Sequence, residues 1–260
     1  MLCLFINYLN KQKRILMNKV IKSVLVGAAA ASMAFLGTGV ASAAPVGGGA
    51  ASPDIVGGTK SAATPWEVQL IFVQNGNTYG CTGEAISSEW ILTAQHCIDR
   101  TSSMNVYYSN STTNRGTAIK ADNWVGSDNG DVALVHLSQS KNLGSYPTVA
   151  DSYSANAGDK GIVMGYGRRA NAAQSDGLYQ ANVQVLGSST DAYNGTAVHI
   201  KGVNGASNHG DSGGPLLIGN QIVGVCSTGD SSDPGADIHA GSNYANLTDS
   251  RQWISDTAGV

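Results

Sequence analysis

Three short stretches of this sequence carry side chains that could together catalyse hydrolysis. Residues 210–215 read GDSGGP, and glycines around a serine suit a tight turn that exposes its hydroxyl. A serine hydroxyl is a weak nucleophile near neutral pH, so it needs a base within hydrogen-bond reach and a third group that orients the base. Upstream, residues 93–97 (TAQHC) and 129–134 (NGDVAL) supply a histidine and an aspartate. The sequence therefore predicts a catalytic set of His96, Asp131 and Ser212.

Each of these three residues also has an ordinary structural explanation. Ser212 alone is explained as a turn serine, His96 as a core histidine whose hydrogen bonds are made, and Asp131 as a loop cap. All three occur in one of the chain orders known for Ser-His-Asp systems, and each has the local context that catalysis requires. Together they favour the catalytic interpretation.

The same motifs resemble those of secreted serine proteases of the trypsin and chymotrypsin family. IVGG at 55–58 resembles the family's mature N-terminus, and CTGEAI at 81–86 with WILT at 90–93 resembles the segment before the catalytic histidine. GYG at 165–167 stands where the family usually has Gly-Trp-Gly, and QWI at 252–254 matches its closing helix. The resemblance covers residues 55–254. It implies an all-β fold of two six-stranded antiparallel barrels with a C-terminal helix.

The composition of the body agrees with an all-β fold. Many short runs of Val, Ile, Thr and Tyr lie between turn residues, and the chain has 33 glycines. Asn75-Gly76-Asn77 predicts a hairpin turn, and residues 249–257 predict the closing helix, whereas 101–121 are polar and uninformative. Residues 151–160 predict the crossover between a barrel at about 55–150 and one at about 160–245, within a protease domain of 55–255. Strands are predicted at 68–73, 131–137, 161–165, 181–186, 197–200, 215–218 and 221–226.

The first 54 residues have the layout of a segment that is removed. Lys19 and Lys22 precede an apolar, alanine-rich run, and small residues follow at 41–43, which predicts a signal peptide of residues 1–43 and a secreted, extracellular enzyme. Met17 fits this layout better than Met1 as the start. The alternative is an uncleaved membrane anchor, which the small residues of the run disfavour. Residues 44–54, rich in Gly, Ala and Pro, predict a short pro-segment.

The resemblance implies activation by cleavage before Ile55. The new amine would pair with Asp211 and order an oxyanion hole formed by the backbone N–H groups of Gly210 and Ser212. Asp54 precedes the cleavage site, where a trypsin-like activating protease would need Lys or Arg. This residue motivates the hypothesis of an acid-directed activator or of self-cleavage, in which case a Ser212→Ala precursor would stay uncut.

The resemblance also implies which residues form the specificity pocket. Ala206 stands where trypsin-like enzymes carry an aspartate that binds Lys or Arg, so cleavage after a basic residue is disfavoured. Ala206 suits an apolar P1 residue, whereas Ser207 and a protonated His209 suit a carboxylate, and both remain open. A loop that carries Asp230 and Asp237 could also reach the pocket. The implied pocket residues are Ala206, Ser207, His209, Ser227, Thr228 and Gly229.

The cysteines indicate one disulfide and one free thiol. Loss of the leader leaves three cysteines in an exported chain. The resemblance implies that Cys81 and Cys97 form the bridge that braces the histidine loop, which contributes about 3 kcal/mol on the chain-entropy model. Cys226 lies in an apolar run and is predicted to be a buried free thiol.

Charge and motif content disfavour several other function classes. From residue 55 onward ten Lys and Arg stand against seventeen Asp and Glu, a net charge of −7, which disfavours nucleic acid and anionic membranes as partners. His136, His199 and His239 show no metal-site spacing, and no nucleotide-binding loop occurs, so no cofactor or metal is predicted. The sequence predicts a monomeric serine endopeptidase that acts on polypeptides and has a protein inhibitor as a further partner. The alternatives are a catalytically silent binding module on the same fold and an esterase-like hydrolase.

Overall fold

The computed structural model describes residues 55–260, so the predicted signal peptide and pro-segment lie outside the described residues. Two short strands, β1 (Val56–Gly57) and β2 (Thr59–Lys60), precede the first barrel. Three short 3-10 helices occur in loops, at Gln95–Cys97, Ala170–Ala172 and Leu247–Ser250. The strands of the first barrel are β3 (Glu67–Gln74), β4 (Asn77–Ala85), β5 (Trp90–Thr93), β6 (Thr101–Tyr107), β7 (Ile119–Gly126) and β8 (Ala133–Leu137).

The first barrel is a closed sheet in the order β3-β4-β5-β8-β7-β6. Its interior holds an apolar cluster to which β3 contributes Val68, Leu70 and Phe72, residues that alternate along the strand as a half-buried strand requires. The β3–β4 turn has positive φ at both Asn75 and Gly76, as a two-residue hairpin of the right-handed sheet twist needs. The predicted hairpin is therefore confirmed.

The second barrel contains six strands that close when β10 pairs with β11. Two further strands extend it: β2 pairs with β11, and β9 pairs with β15 in parallel. A separate short pairing joins β1 to β13. The strands after the first barrel are β9 (Thr148–Val149), β10 (Lys160–Gly165), β11 (Tyr179–Thr190), β12 (Thr196–Gly202), β13 (Gly205–Ala206), β14 (Pro215–Ile218), β15 (Gln221–Gly229) and β16 (Gly241–Asn246).

A separate apolar cluster joins the two barrels to the helix α1 (Arg251–Ala258). Leu92 and Leu134 enter this cluster from the first barrel, and Val225 enters from the second. Leu247 and Ile254, which follow the last strand, complete it. The helix ends at Gly259, whose φ of 73° is the left-handed conformation common at helix C-termini. The predicted two barrels and closing helix are confirmed.

Several strands were not predicted, among them β6, β7 and β16, whose polar residues interrupt an apolar pattern. In β7 no residue is fully buried, and Lys120, Asp122 and Asn123 separate its apolar side chains. The β6 and β16 strands likewise contain Ser and Asn at several positions. Their backbone hydrogen bonds to neighbouring strands define them, and such pairing is not visible in a local pattern.

Candidate active site

The end of β5 and the start of β8 bring His96 and Asp131 together. These strands are paired with Thr93 opposite Ala133, so the segments just beyond them are neighbours. His96 Nδ1 lies 2.7 Å from Asp131 Oδ2, and the His96 backbone N–H donates to Oδ1 at 2.9 Å. The Asp131 side chain is fully buried, whereas 32% of the His96 side chain is exposed. One ring edge of the histidine is therefore fixed and the other faces the cleft.

The hydrogen bonds around Asp131 keep its carboxylate ionised. Burial alone would raise its pKa, but His96 and the hydroxyl of Ser227, which donates to Oδ2 at 2.6 Å, lower the pKa below its ordinary value. A carboxylate can only accept, so His96 Nδ1 carries a proton in this contact. The Nε2 atom is then the one that can act as a base.

Ser212 lies on the loop between β13 and β14, and glycines allow the path of this loop. Gly210 has a φ of +99°, and a Cβ there would lie 2.9 Å from the Gly167 Cα. Gly213 has a φ of +79°, and a Cβ there would overlap the hydroxyl of Thr93 at the end of β5. The loop is thus packed against the strand that leads to His96. Ser212 and His96 line the same cleft, of about 390 Å³.

The backbone next to Ser212 leaves hydrogen-bond donors available. The Gly210 carbonyl accepts from the Thr82 hydroxyl at 3.0 Å, and the Ser212 carbonyl accepts from the Thr82 amide at 2.9 Å. Among residues 55–260, the amides of Gly210 and Ser212 have no acceptor. Two such amides beside a serine hydroxyl can bind an oxygen on which negative charge develops.

Asp211 is a buried carboxyl held by backbone amides. Its oxygens accept from Gly167 N and Asn208 N, both at 2.8 Å. Burial nevertheless raises the pKa of Asp211 to about 7. A Cβ at Gly165 or at Gly167 would overlap this carboxyl, which explains the two glycines of the GYG stretch.

Ile55 directly precedes β1, the strand that pairs with β13. Its side chain is 1% exposed, and the next residue, Val56, pairs with Ala206. Among the described residues, no Lys, Arg or His forms an ion pair with Asp211. A cation at this place would remove the cost of burying an unpaired carboxylate.

Five of the six residues expected to form the specificity pocket line the cleft. They are Ser207, His209, Ser227, Thr228 and Gly229. Ala206 instead lies in β13, is 2% exposed and does not line the cleft. Asp230 lies on the cleft wall, but Asp237, which accepts from the His239 amide of its own loop, does not.

The wall of the cleft is mostly uncharged and rich in hydroxyls. Ser207 Oγ lies 2.6 Å from Ser242 Oγ, a contact that the sequence analysis missed because β16 was not predicted. His209 Nε2 lies 2.7 Å from the Ser232 carbonyl, which can only accept, so Nε2 carries a proton. The Asp230 carboxylate is held by His199 Nε2 at 2.8 Å and by an Asn243 amide.

The cysteines are paired as the sequence analysis predicts. Cys81 and Cys97 form a disulfide that ties β4 to the 3-10 helix carrying His96. Cys226 is free and buried on the cleft wall. Burial raises the pKa of its thiol to about 12, so the thiol is protonated and unreactive at neutral pH.

Comparison with known proteins settles the family. The family model described as trypsin matches residues 55–254. The chain belongs to the trypsin family. It is 30% identical over 224 residues to serine protease 1 of Drosophila melanogaster, covering 75% of this chain and 82% of that one. It is also 30% identical over 203 residues to trypsin-3 of Salmo salar, covering 68% and 82%.

Solved structures share the fold of this trypsin-family chain. The mouse brain serine protease neuropsin matches with a TM-score of 0.62 at 24% identity, covering 77% of this chain and 98% of neuropsin. HL collagenase matches with a TM-score of 0.66 at 20% identity, covering 78% and 98%. The protein is therefore a chymotrypsin-fold serine endopeptidase that acts on polypeptides. In residues 55–260 no helix has the length and apolar character needed to cross a membrane.

Proposed function

We propose that this endopeptidase cleaves peptide bonds with Ser212 as nucleophile, His96 as base and Asp131 as the group that orients the base. The contact of His96 with an ionised, buried Asp131, in the same cleft as Ser212, carries this proposal. Ser212 Oγ attacks the scissile carbonyl while His96 Nε2 takes its proton. The proton then passes to the leaving amine as the acyl-enzyme forms, and a water molecule releases the acid by the reverse sequence.

The amides of Gly210 and Ser212 serve as the oxyanion hole in this proposal. They have no acceptor among the described residues, and both belong to the loop that carries the nucleophile. In the tetrahedral intermediate they would donate to the new oxyanion. One such donor contributes about 3 kcal/mol to lowering the barrier.

Activation by cleavage before Ile55 follows from the surroundings of Asp211. Among residues 55–260 the buried Asp211 carboxyl has no cationic partner, and Ile55 directly precedes β1, whose partner strand β13 leads into the Ser212 loop. A free Ile55 ammonium would hold Asp211 in its ionised form and fix the loop that supplies the oxyanion amides. Signal-peptide cleavage, secretion and removal of residues 44–54 belong to the same proposal, with Asp54 as the residue before the cut.

The cleft favours an uncharged P1 side chain over an acidic or a basic one. Ser207, Thr228 and the protonated Cys226 thiol give it a neutral wall. His209 already donates to the Ser232 carbonyl, and the carboxylate of Asp230 on the wall would repel an acidic residue. Asp230 is itself bound by His199, which leaves it a poor partner for a buried Lys or Arg. An acidic P1 residue bound by His209 and Ser207 is the second candidate.

Cleavage of a peptide library varied at P1, by the form that starts at Ile55, tests these points together. Ser212→Ala should abolish cleavage, and Ser188→Ala, at an exposed serine of β11, should leave it unchanged. Cleavage after Leu, Phe or Ala supports the neutral wall, cleavage after Glu or Asp supports His209, and cleavage after Lys or Arg assigns the pocket to Asp230. Turnover of esters without amides would favour the esterase alternative. A folded protein that binds peptides without cutting them would favour the silent binding module.

A further inference from the structure

The turn that joins β11 to β12, residues 191–195, contacts the catalytic groups from behind the cleft. It belongs to the second barrel, whereas Asp131 and His96 belong to the first. None of its residues lines the cleft. Its tip is compact, because Asp191 N donates to the Gly195 carbonyl and Asn194 N donates to the Asp191 carbonyl. The turn therefore reaches from the second barrel to the first, outside the lining of the cleft.

The buried carboxylate of Asp191 binds the backbone of Asp131. Its Oδ2 atom accepts from the Asp131 amide at 2.9 Å. Its Oδ1 atom accepts from the amides of Tyr193 and Gly195, at 2.8 and 2.9 Å. The contact is close, since a Cβ at Gly130 would overlap Oδ2. The Asp191 carboxylate thus holds the turn together and also binds the backbone of Asp131.

The same turn orients the hydroxyl that donates to Asp131. The Ala192 amide donates to Ser227 Oγ at 3.0 Å, and Ser227 Oγ donates to Asp131 Oδ2 at 2.6 Å. With its lone pair engaged by Ala192, the Ser227 hydroxyl keeps its proton toward the carboxylate. The Tyr193 hydroxyl also donates to Asp99, three residues after His96. The one turn therefore contacts the Asp131 backbone, the hydroxyl that binds the Asp131 side chain, and the loop that carries His96.

We propose that the 191–195 turn is a positioning element for catalysis and that Asp191 is its positioning residue. It touches neither substrate nor reacting atoms. It fixes Asp131 from the backbone side and, through Ala192, fixes the Ser227 hydroxyl on the carboxylate side. This inference rests on the proposed function of His96, Asp131 and Ser212.

The first test compares Asp191→Asn and Asp191→Ala with wild type in the form that starts at Ile55. An asparagine cannot supply acceptors for all three amides, and an alanine supplies none. With active sites counted by an acylating titrant, kcat should fall about tenfold for Asn and about a hundredfold for Ala, with KM unchanged, because small misplacements cost that much. The acid limb of the kcat/KM profile should move to lower pH, because a displaced Asp131 carboxylate stabilises the protonated form of the base less.

A purely structural role predicts a different result. The variants would then unfold at lower temperature, but kcat per titrated site and the acid limb would match wild type, and this result overturns the proposal. If wild type itself does not cleave, or Ser212→Ala still does, the proposed function fails instead. An active wild type with unaffected Asp191 variants sinks only the positioning role.

A second variant keeps Asp191 and disturbs only its contact. A methyl group at Gly195 would lie 2.5 Å from the Gly130 Cα and 2.7 Å from Asp191 Oδ2, so Gly195→Ala should push the turn away from Asp131. We expect kcat about tenfold lower, with the same shift of the acid limb. Gly80→Ala is the matched control, since its methyl would come no closer to another residue than 3.4 Å, at Ile71 Cδ1. If the Asp191 variants do not fold, Gly195→Ala tests the positioning role alone. A kcat equal to that of wild type in this variant would contradict the proposal.

Discussion

The carboxyl of Asp131 and those of Glu67 and Glu84 are equally buried but have opposite surroundings. Asp131 accepts hydrogen bonds from the amide and ring of His96 and from Ser227. Glu67 and Glu84 face each other across β3 and β4, are 0% exposed, and their oxygens have no hydrogen-bond partner among the described residues. The two regions therefore differ in donors and not in depth.

The difference in donors shifts the pKa values of these carboxyls in opposite directions. Burial raises the pKa of Glu67, and the charge of Asp211 raises it further, while burial and Glu67 raise the pKa of Glu84. The pKa of Asp131 is lowered in spite of its burial. Burial thus favours the protonated form of the glutamates, whereas the donors around Asp131 favour its ionised form. Burial alone therefore does not determine whether a carboxyl in this protein can serve as the anion that catalysis needs.

The largest expected effect comes from removing the charge of Asp131. Asp131→Asn replaces the acceptor of the His96 Nδ1 proton with a group that can also donate, so the wrong tautomer is favoured. We expect kcat to fall about 10⁴-fold, measured by steady-state cleavage of a peptide substrate. Glu84→Gln is the matched control, because burial favours the uncharged form of that carboxyl and it lies outside the cleft, and its kcat at pH 7 should equal wild type. A loss below tenfold in Asp131→Asn would refute the assigned role.

Asp211 gives the next effect, as a difference between the uncut and the cut chain. Its pKa of about 7 in the uncut fold exceeds the ordinary value of 3.8. The stability that this raised pKa contributes is complete below pH 3.8 and is lost as pH rises through about 7, a change of about 2 to 4 kcal/mol. A free Ile55 ammonium should abolish the loss. Denaturant unfolding of the Ser212→Ala precursor and of the cut form, from pH 4 to 8, measures it. Parallel curves for the two forms would contradict the Ile55–Asp211 pairing.

Removing one donor from Asp131 should have a smaller effect than removing its charge. Ser227→Ala should lower kcat about tenfold, because a hydrogen bond to a charged group contributes about 1.5 to 3 kcal/mol. Because the pKa of Asp131 is lowered in the fold, its contribution to stability is present above pH 3.8 and is lost as pH falls through the folded value. In the variant this loss should begin at higher pH. Acid unfolding measures the pH at which wild type and Ser227→Ala lose stability, and Ser188→Ala, at an exposed serine, is the control. Coincident unfolding curves for wild type and Ser227→Ala would contradict the role of Ser227 as a donor to Asp131.

The smallest effect should come from the glutamate pair. Since the pKa of Glu84 is raised, its contribution to stability is present below pH 4.5 and is lost as pH rises through the folded value. Glu84→Gln should therefore match wild type near pH 5 and be more stable than wild type near pH 9, where burial penalises the ionised carboxylate. Glu89→Gln, at the exposed position just before β5, should show no such difference in stability between the two pH values. Thermal unfolding of Glu84→Gln and wild type at both pH values makes the comparison. The same difference in melting temperature at pH 5 and pH 9 would contradict the raised pKa of Glu84.

The sequence predicted those parts of the site that depend on local chemistry. The order of His96, Asp131 and Ser212 stood out because each has glycine, cysteine or apolar neighbours of a particular kind. The Asn75-Gly76 turn was found from the need for positive φ, and the register counted out from that turn sets Glu67 opposite Glu84. The sequence therefore contains enough information to predict the pairing of Glu67 with Glu84.

Other parts depend on pairing between distant segments. Asp191 lies 60 residues from Asp131, in a turn that resembles many polar hairpin turns, and only the docking of the barrels brings the two together. The β6, β7 and β16 strands exist because neighbours supply their hydrogen bonds. Through one of these strands Ser242 contacts Ser207, a residue of the cleft wall. No periodicity or motif in the sequence marks such contacts.

The apolar cluster between the barrels has a consequence for when the enzyme becomes active. Leu247 and Ile254 complete this cluster, and both follow all sixteen strands of the described chain. During synthesis each barrel can close as its own strands emerge, but the surface between the barrels stays incomplete until the segment with α1 has been made. His96 and Ser212 come from different barrels, so we expect a nascent chain that has both residues to be inactive. Assembly of the cleft thus depends on the ribosome reaching the segment after the last strand.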